Sequence, residues 1–252
     1  YSRALVLTFT QANQPQTIWV KAVDDASAEG ERVALISHSI NSASASYDDL
    51  AIADVFVTIV DNDKPGLDIR QLDINDLDPG DVNAQNVVDL TKVRRDDVTR
   101  VLEGGFGDIY AVALTRAPAA GEVVTVTLQY DPTQLVLSAS TLTFTQANWS
   151  LFQLVRVSAF QEGAGAGVAE NILTSRITHQ ITSTLASGTR VYNVPQNEFP
   201  ALGVTVYDDE TAGVIVTETG GSTKVVDGGA GDSYLLQLTR RPSQPVILTL
   251  KT

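Results

Sequence analysis

Apolar and polar residues alternate with a period of two along most of the chain. The segment Val124-Thr125-Val126-Thr127-Leu128 is one example, and Thr141-Leu142-Thr143-Phe144 is another. Successive side chains of a strand point to opposite faces of a sheet, so this alternation indicates strands that are buried on one side. Clusters of Gly, Asp, Asn and Pro separate the alternating runs, as turns separate the strands of a sandwich. The pattern therefore predicts an all-β fold.

The chain also contains internal repeats. Four pairs of matching motifs occur, at offsets of 135, 141, 147 and 124 residues: Leu7-Thr8-Phe9-Thr10-Gln11-Ala12-Asn13 with Leu142-Thr143-Phe144-Thr145-Gln146-Ala147-Asn148, Ile36-Ser37-His38 with Ile177-Thr178-His179, Asp61-Asn62-Asp63 with Asp208-Asp209-Glu210, and Gly107-Asp108-Ile109-Tyr110 with Gly231-Asp232-Ser233-Tyr234. Self-similarity at long offsets is typical of tandem structural units. The order of the motifs then defines how the units are arranged.

Three segments follow from this order. Residues 64–210 carry a complete unit with an insert near residues 70–102, residues 1–63 carry the C-terminal half of a unit, and residues 211–252 carry the N-terminal half. Aligned on the complete unit, the two halves leave only residues 131–135 without a counterpart. The flanking segments are thus expected to be the two halves of one sandwich, divided within a single loop.

The motifs resemble a known family. They are, in chain order, Leu-Thr-Phe-Thr-Gln-Ala-Asn at 7–13, Pro15-Gln16-Thr17, Ala22-Val23-Asp24-Asp25, Glu29-Gly30 and Asp61-Asn62-Asp63. This series resembles the Calx-beta repeat in its tandem bacterial extracellular form. The resemblance implies tandem immunoglobulin-like antiparallel β-sandwiches of about seven strands each. It also implies Ca²⁺ held by loops at one end of each sandwich.

The composition excludes several other classes of protein. Thirty acidic residues against 17 basic ones give a net charge of −13, which repels a phosphate backbone and argues against nucleic-acid binding. The chain has no Cys, so disulfides and thiolate metal sites are excluded. No apolar run is long enough for a membrane helix. We therefore expect an extracellular or cell-surface protein.

Acidic residues at strand ends are the candidate metal ligands. The first group comprises Asp24, Asp25, Glu29, Asp61 and Asp63. Crowded carboxylates repel one another unless a cation neutralises them, and Ca²⁺ accepts six to eight oxygen ligands in loose geometry. The alternative is that the acidic residues only form solvated Asx-turns. The family resemblance adds Glu218 as the ligand from the first strand, and this set is the stronger predicted Ca²⁺ site.

The complete unit departs from this pattern. Gln71 stands where residues 211–252 have Glu218, and Phe160-Gln161-Glu162 replaces Val23-Asp24-Asp25. The residues that keep a charge there are Glu162, Glu170, Asp208, Asp209 and Glu210. We expect this second site to bind Ca²⁺ weakly or to be empty.

Other polar and aromatic residues suggest packing more than chemistry. His38 and His179 occupy matching strand positions, which favours packing or sheet-edge roles over a zinc pair. Trp19 and Trp149 are expected in the core or on a strand face. Within the insert, valines and leucines among charged residues predict a short helix at 84–101.

Two classes of function agree with these features. The first is a structural or adhesive calcium-binding repeat protein of a surface array or filament, in contact with adjacent repeats or with neighbouring copies of itself. A half sandwich exposes an apolar face and a strand edge, so either further sequence or another copy must complete it. The second class is an accessory or carbohydrate-binding module of a large secreted enzyme. No nucleophile–base pair is evident, so the chain itself is not expected to be an enzyme.

Overall fold

A computed structural model of the protein describes residues 5–11, 15–25, 27–162, 172–193, 201–225 and 227–251. The strands, in chain order, are β1 (Arg32–Ile36), β2 (Val55–Ile59), β3 (Leu67–Leu72), β4 (Arg100–Leu102), β5 (Asp108–Leu114), β6 (Val123–Gln129), β7 (Leu135–Leu137), β8 (Thr141–Phe144), β9 (Gln153–Ala159), β10 (Leu173–Thr184), β11 (Leu202–Tyr207), β12 (Val214–Glu218) and β13 (Tyr234–Leu238). Three short 3₁₀ helices lie at Ile74–Asp76, Pro79–Asp81 and Thr219–Gly221. No α-helix occurs in these ranges, and the all-β prediction is confirmed. The same residues include no helix with the length and apolar character needed to cross a membrane.

The chain divides into two compact units. The smaller one comprises residues up to 27 together with 31–59, and the larger one comprises residues 28–30 and the chain from residue 60 onwards. The larger unit contains a five-stranded sheet in the order β4-β11-β10-β6-β8 and a four-stranded sheet in the order β3-β5-β9-β7. All neighbouring strands in these sheets are antiparallel except β4 and β11, which are parallel.

The two larger sheets share one apolar core, as in a β-sandwich. Strand β6 shows the reason, because Val124, Val126 and Leu128 are buried while the residues between them are more exposed. From the other sheet, Tyr110 and Val157 belong to the same core cluster and are fully buried. Period-two alternation therefore gives each sheet one apolar face that is buried away from solvent.

Strand β5 is buried along its whole length because both of its faces are covered. Its second face packs in a smaller core cluster in which Ile109 and Ala111 contact Val88 and Val93 of the insert. The helix expected at 84–101 is not formed. Instead the Val88 N–H donates to the Phe152 carbonyl at 2.9 Å, so the insert lies against the sheet edge in extended and turn conformations. The valines cover a sheet face, which is why their spacing does not produce a helix.

The smaller unit contains one two-stranded sheet, β1 paired with β2. Residues 5–11 and 15–25 of this unit form no strand. In the larger unit, β12 and β13 likewise form a two-stranded sheet by themselves. These two small sheets lie within the segments that the sequence assigns to half units.

Each small sheet has a counterpart in the complete unit with the same register. Arg32 pairs with Ile59 in β1–β2, and Leu173 pairs with Val206 in β10–β11, at the sequence offsets of 141 and 147 residues. In β12–β13 Glu218 pairs with Tyr234, and in β3–β5 Gln71 pairs with Tyr110. The two pairs are related by sequence offsets of 147 residues for the first member and 124 for the second. The repeated motifs thus adopt equivalent pairings.

The segments preceding β3 and β12 are held by matching hydrogen bonds. The Thr115 N–H donates to the Gly66 carbonyl, and the Thr239 N–H donates to the Gly213 carbonyl, both at 3.1 Å. One arginine follows each threonine: Arg116 Nη1 donates to the Asp63 carbonyl, and Arg240 Nη1 donates to the Glu210 carbonyl, both at 2.6 Å. The two linkers therefore have the same local structure.

Candidate metal centre

A parallel strand pair brings two acidic segments to one edge of the five-stranded sheet. Leu102 of β4 pairs with Tyr207 of β11, and both strands end at these residues. Glu103 and Asp208 follow directly, and the Glu103 N–H donates to the Tyr207 carbonyl at 3.0 Å. Because parallel strands end at the same edge of a sheet, residues far apart in sequence become neighbours.

The loop after β4 is a tight glycine turn. The Gly105 N–H donates to the Leu102 carbonyl at 3.0 Å, and Gly104 has a φ of +58°, in the left-handed region that glycine favours. A Cβ at Gly104 would lie 2.6 Å from Gln161 Oε1 and 3.2 Å from Asp209 Oδ2. Glycine therefore allows two polar side chains to approach the loop backbone closely.

The loop after β11 is an Asx-turn. Asp208 Oδ1 accepts a 2.7 Å hydrogen bond from the Glu210 N–H, and Asp208 Oδ2 accepts one of the same length from Thr211 Oγ1. A side chain that hydrogen-bonds two residues ahead reverses the backbone locally. This turn holds three successive acidic residues against the glycine loop.

Glu103, Asp208, Asp209 and Glu210 form a carboxylate cluster. Each contributes one oxygen, and these oxygens all lie within 4.8 Å of one another. Glu103 and Asp208 are buried, and Asp209 Oδ1 is shielded from solvent without a hydrogen-bond partner. Among the residues described, this is the one group of its kind.

The cluster cannot hold four negative charges without compensation. Hydrogen bonding to Asp208, followed by hydrogen bonding to Asp209, raises the pKa of Glu210 from 4.5 to about 7. Carboxylates at this separation share protons because their charges repel. A bound cation would remove the repulsion that the shared proton relieves. All four candidate ligand atoms are carboxylate oxygens. Such a donor set suits a hard cation such as Ca²⁺ or Mg²⁺.

Three of the residues predicted for the weaker site belong to the carboxylate cluster, namely Asp208, Asp209 and Glu210. Glu162 lies outside the cluster, although its neighbour Gln161 approaches at Gly104. Glu170 falls outside the residues that the structure describes. The expectation that this site is weak or empty stays a prediction.

The residues predicted for the stronger site occupy several turns. Asp61 Oδ2 accepts from the Gly30 N–H at 2.6 Å and Oδ1 accepts from the Asp63 N–H at 2.8 Å, and these backbone hydrogen bonds lower the pKa of Asp61. Asp25 accepts from the Ser27 N–H in a local turn. Glu218 accepts from the Thr223 N–H at 3.1 Å. Asp24 and Glu29 are exposed, and this ligand set stays a prediction.

Glu103 is the member of the cluster that the sequence alignment missed. Gln71, which the alignment placed at the first-strand ligand position, lies in β3 and outside the cluster. The offset of 124 residues gives the missing signal, since Glu103-Gly104-Gly105-Phe106-Gly107-Asp108 matches Asp227-Gly228-Gly229-Ala230-Gly231-Asp232. Gly228 has a φ of +70°, similar to that of Gly104. By this match Asp227, and not Glu218, is the counterpart of Glu103.

A second acidic group lines a cavity in the larger unit. Asp73, Asp96 and Asp108 lie around it together with Arg100. Asp108 accepts from the Arg100 N–H at 2.7 Å, yet burial raises its pKa to about 7. The Asp108 oxygens accept backbone hydrogen bonds. Among the described residues, these three aspartates are not one of the acidic groups that could hold a metal ion.

The histidines and tryptophans divide between core and solvent. His179 is buried with its ring edge against Tyr110, which confirms the packing role, and burial lowers its pKa to about 4. His38 is exposed. Trp149 packs against the main core, whereas Trp19 is 87% exposed. The two tryptophans thus do not form a matched exposed pair.

Together, the fold and the cluster define an all-β protein with a candidate cation site. Comparison with known proteins found no matching family model and no matching curated protein. Among solved structures, the chain is similar to WR4, a member of the MSP family from C. elegans, at 7% identity and a TM-score of 0.28. The match covers 44% of this chain and 92% of WR4. A similarity this low assigns neither a family nor a function.

Proposed function

We propose that this protein is a calcium-binding β-sandwich repeat protein with a structural or adhesive role outside the cell. The observation that carries the proposal is the carboxylate cluster of Glu103, Asp208, Asp209 and Glu210. Four carboxylates at one sheet edge, two of them buried, are energetically costly unless a cation binds them.

We expect the cluster to prefer calcium to magnesium. Mg²⁺ requires near-ideal octahedral geometry and retains several waters, whereas Ca²⁺ accepts more protein oxygens in irregular arrangements. The ligands come from two separate loop segments, Glu103 in a glycine turn and the rest in an Asx-turn. Calcium sites of extracellular modules typically have dissociation constants of about 10⁻⁴–10⁻³ M.

The repeat arrangement supports a structural role. The registers of β1–β2 and β12–β13 match those of β10–β11 and β3–β5, in agreement with tandem immunoglobulin-like units of the Calx-beta type. In this reading residues 1–63 and 211–252 are half units on either side of the complete unit at 64–210. Repeats joined by short linkers contact mainly their neighbours, as in surface arrays and filaments. Adhesive contacts and an extracellular location are part of the same proposal.

The proposed role is not enzymatic, and the carbohydrate-binding alternative lacks a matched pair of exposed tryptophans, since only Trp19 of the two is exposed. A sugar-binding platform needs exposed aromatic rings on one surface, but Trp149 packs against the core. The Asp208 carboxylate of the cluster also accepts a backbone hydrogen bond within its own turn.

Calcium titration of the whole chain by calorimetry tests the proposal. In place of the weak or empty site expected from the sequence of residues 64–210, we expect one site at the carboxylate cluster that prefers Ca²⁺ to Mg²⁺, and Glu103→Gln should weaken its affinity at least tenfold. Glu31→Gln is the control, because Glu31 is exposed, lies outside the cluster and is not among the residues predicted for either site, so it should leave the affinity unchanged. Equal affinity in wild type and Glu103→Gln would contradict the proposal.

Proton linkage gives the same test a second readout. Because the Glu210 pKa is about 7 without metal, calcium binding must displace a proton when the pH is at or below 7. Affinity should therefore rise with pH and level off above pH 7. Affinity that is constant between pH 5.5 and 8 would indicate that the metal binds elsewhere.

A further inference from the structure

The insert faces the segment that carries β12 and β13. Both belong to the larger unit, and a small cavity lies between them. One side of the cavity is formed by the insert and the start of β5, with the carboxylates Asp73, Asp96 and Asp108. The other side is formed by Thr217, Leu235 and Gln237 of β12 and β13.

One face of the β12–β13 pair is turned towards this cavity. Ile215 pairs with Gln237, and Thr217 pairs with Leu235. Residues opposite each other in an antiparallel pair share a face, and so do residues two apart in a strand. These four side chains therefore form one face, which we call the outer face. Ile215 on this face is 3% exposed, whereas Val216 on the opposite face is 52% exposed.

The outer face differs in charge from the matching face of β3. At the offset of 147 residues, Ile215 and Thr217 correspond to Asp68 and Arg70. Arg70 Nε donates to Asp68 Oδ1 at 2.7 Å, and the two side chains form an ion pair. Covering an ion pair carries a desolvation cost that an apolar side chain does not have. The uncharged outer face of β12–β13 is therefore suited to being covered.

Two further approaches occur beside the cavity. Gly221 has a φ of +76°, and a Cβ at this position would lie 3.3 Å from the Asp96 carbonyl oxygen. Glycine therefore lets the backbone of the insert come close. Backbone hydrogen bonds lower the pKa of Asp232, and the positive charge of Arg94 lowers it further. The insert thus presents a cation to the turn that precedes β13.

We propose that the insert is a docking surface for the outer face of β12–β13, and that it fixes the direction in which the chain leaves the complete unit. The insert is itself anchored, because Val88 and Val93 lie in one core cluster with Ile109 and Ala111 of β5. An element that is anchored on one sheet and covers another sets the orientation between them. The inference goes beyond the proposed function and does not require calcium.

The carboxylates of the cavity give the docking a dependence on pH. Burial raises the pKa of Asp108 to about 7, and the charges of Asp96 and Asp73 add to this shift. Burial also raises the pKa of Asp96. Arg100 lines the same cavity, and the three residues that face it from β12 and β13 carry no charge.

Docking should weaken as the pH rises. Undocking admits water to the cavity and lowers the pKa of Asp108 towards its ordinary value of 3.8. The docked form therefore holds a proton that the undocked form has lost. The docking equilibrium constant should fall by up to about tenfold per pH unit for each such proton as the pH rises from about 4 towards 7. Above pH 7 it should become constant.

The distance between two spin labels tests the docking in the whole chain. The protein has no Cys, so Thr184→Cys at the end of β10 and Lys224→Cys before β13 accept one label each, both at exposed positions. Pulsed electron spin resonance should give one narrow distance distribution at pH 5 and a broader one at pH 8. A broad distribution at pH 5 would overturn the docking, and equal widths at both pH values would overturn its pH dependence.

Two adjacent leucines test which face is docked. Leu235 and Leu236 are 48% and 41% exposed, but only Leu235 lines the cavity. Leu235→Asp places a negative charge beside Asp96 and Asp108 and should replace the narrow distribution at pH 5 with a broad one. Leu236→Asp is the matched control on the opposite face and should keep the narrow distribution. Equal widths in the two variants would overturn the proposal.

Two adjacent aspartates test the charge within the cavity. Asp96→Asn keeps a side-chain oxygen for the Val98 N–H and removes one negative charge, so the distribution at pH 8 should become narrower than in wild type. Asp97→Asn is the matched control, because Asp97 is exposed and does not line the cavity. A narrower distribution cannot result from unfolding of the variant. No narrowing in Asp96→Asn, or equal narrowing in both variants, would overturn the role of the cavity.

Chelation separates this inference from the proposed function. A narrow distribution at pH 5 in EDTA, from a chain that shows no calcium binding, would support the docking and contradict only the calcium proposal. A calcium-binding chain with a broad distribution at pH 5 would contradict only the docking.

Discussion

The same four residues, Leu-Thr-Phe-Thr, occur at 7–10 and at 142–145 with different structures. In the complete unit they lie in and just after β8, and Phe144 is fully buried. At the N-terminal position they form no strand, and Phe9 is 60% exposed. Since the local sequence is identical, the neighbouring strand must decide the outcome. β8 has β6 beside it, whereas the counterpart of β6 at 246–251 is itself not a strand.

A pair of aspartates shows the same contrast in electrostatics. Asp108 accepts from the N–H groups of Arg100 and Ile109, and Asp232 accepts from the equivalent groups of Lys224 and Ser233. Burial raises the pKa of Asp108 to about 7, whereas the backbone hydrogen bonds lower the pKa of exposed Asp232. Equivalent backbone hydrogen bonds thus accompany opposite shifts in pKa, because desolvation outweighs them only where the carboxylate is buried.

The largest expected effect comes from truncating the two matched phenylalanines. Phe144→Ala removes a fully buried ring and should lower the free energy of unfolding by about 3–5 kcal/mol. Phe9→Ala should change it by less than about 1 kcal/mol in the dilute protein, because exposed side chains contribute little. Urea denaturation followed by Trp149 fluorescence, in a Trp19→Phe background, measures the free energy of unfolding of both variants. Equal losses would contradict the idea that the segment around Phe9 contributes nothing to the core.

The matched histidines should differ in their effect on pH-dependent stability. Burial lowers the pKa of His179 from 6.5 to about 4. The contribution of neutral His179 to the free energy of unfolding is therefore complete above pH 6.5 and is lost as the pH falls toward 4. The loss should reach about 3 kcal/mol, from the 1.36 kcal/mol that corresponds to one pKa unit. Denaturation at pH 7.5 and pH 4.5 should show that His179→Phe removes this part of the pH dependence. His38→Phe is the control, and an equal effect of both variants would contradict the assignment.

The smallest effect is expected from the two matched glycines. Both have a positive φ, so Gly104→Ala and Gly228→Ala should each cost about 1 kcal/mol from backbone strain. At Gly104 the added Cβ would also meet Gln161 and Asp209, whereas at Gly228 no atom lies within 4 Å. Gly104→Ala should therefore also weaken calcium binding in the calorimetric assay. Unchanged affinity in Gly104→Ala would show that the glycine loop does not shape the cluster.

Alternation of apolar residues was sufficient to predict the strands of the complete unit, because one-sided burial requires that pattern. It was not sufficient at residues 5–11, 15–25 and 241–251, which form no strand although apolar residues alternate there too. The helix at 84–101 was predicted wrongly since Val88 and Val93 cover a sheet face without helical spacing. Local patterns do not show which distant strand lies alongside.

The candidate site was partly predictable for the same reason. Asp208, Asp209 and Glu210 are adjacent in the chain and were recognised as one acidic group. Glu103 joins them only because β4 and β11 are parallel, a pairing between residues about a hundred positions apart. The sequence signal for Glu103 is the repeated turn, Glu-Gly-Gly at 103–105 and Asp-Gly-Gly at 227–229, which directly precedes the repeated Gly-Asp motif.

The arginine contacts at the linkers have a mechanical consequence. Arg116 and Arg240 each hydrogen-bond a carbonyl that precedes the first strand of a sheet, at Asp63 and Glu210. A linker fastened in this way has little slack to straighten when the chain is pulled. Tension therefore passes directly to the strand pairs β3–β5 and β12–β13, and extension begins only when those hydrogen bonds break.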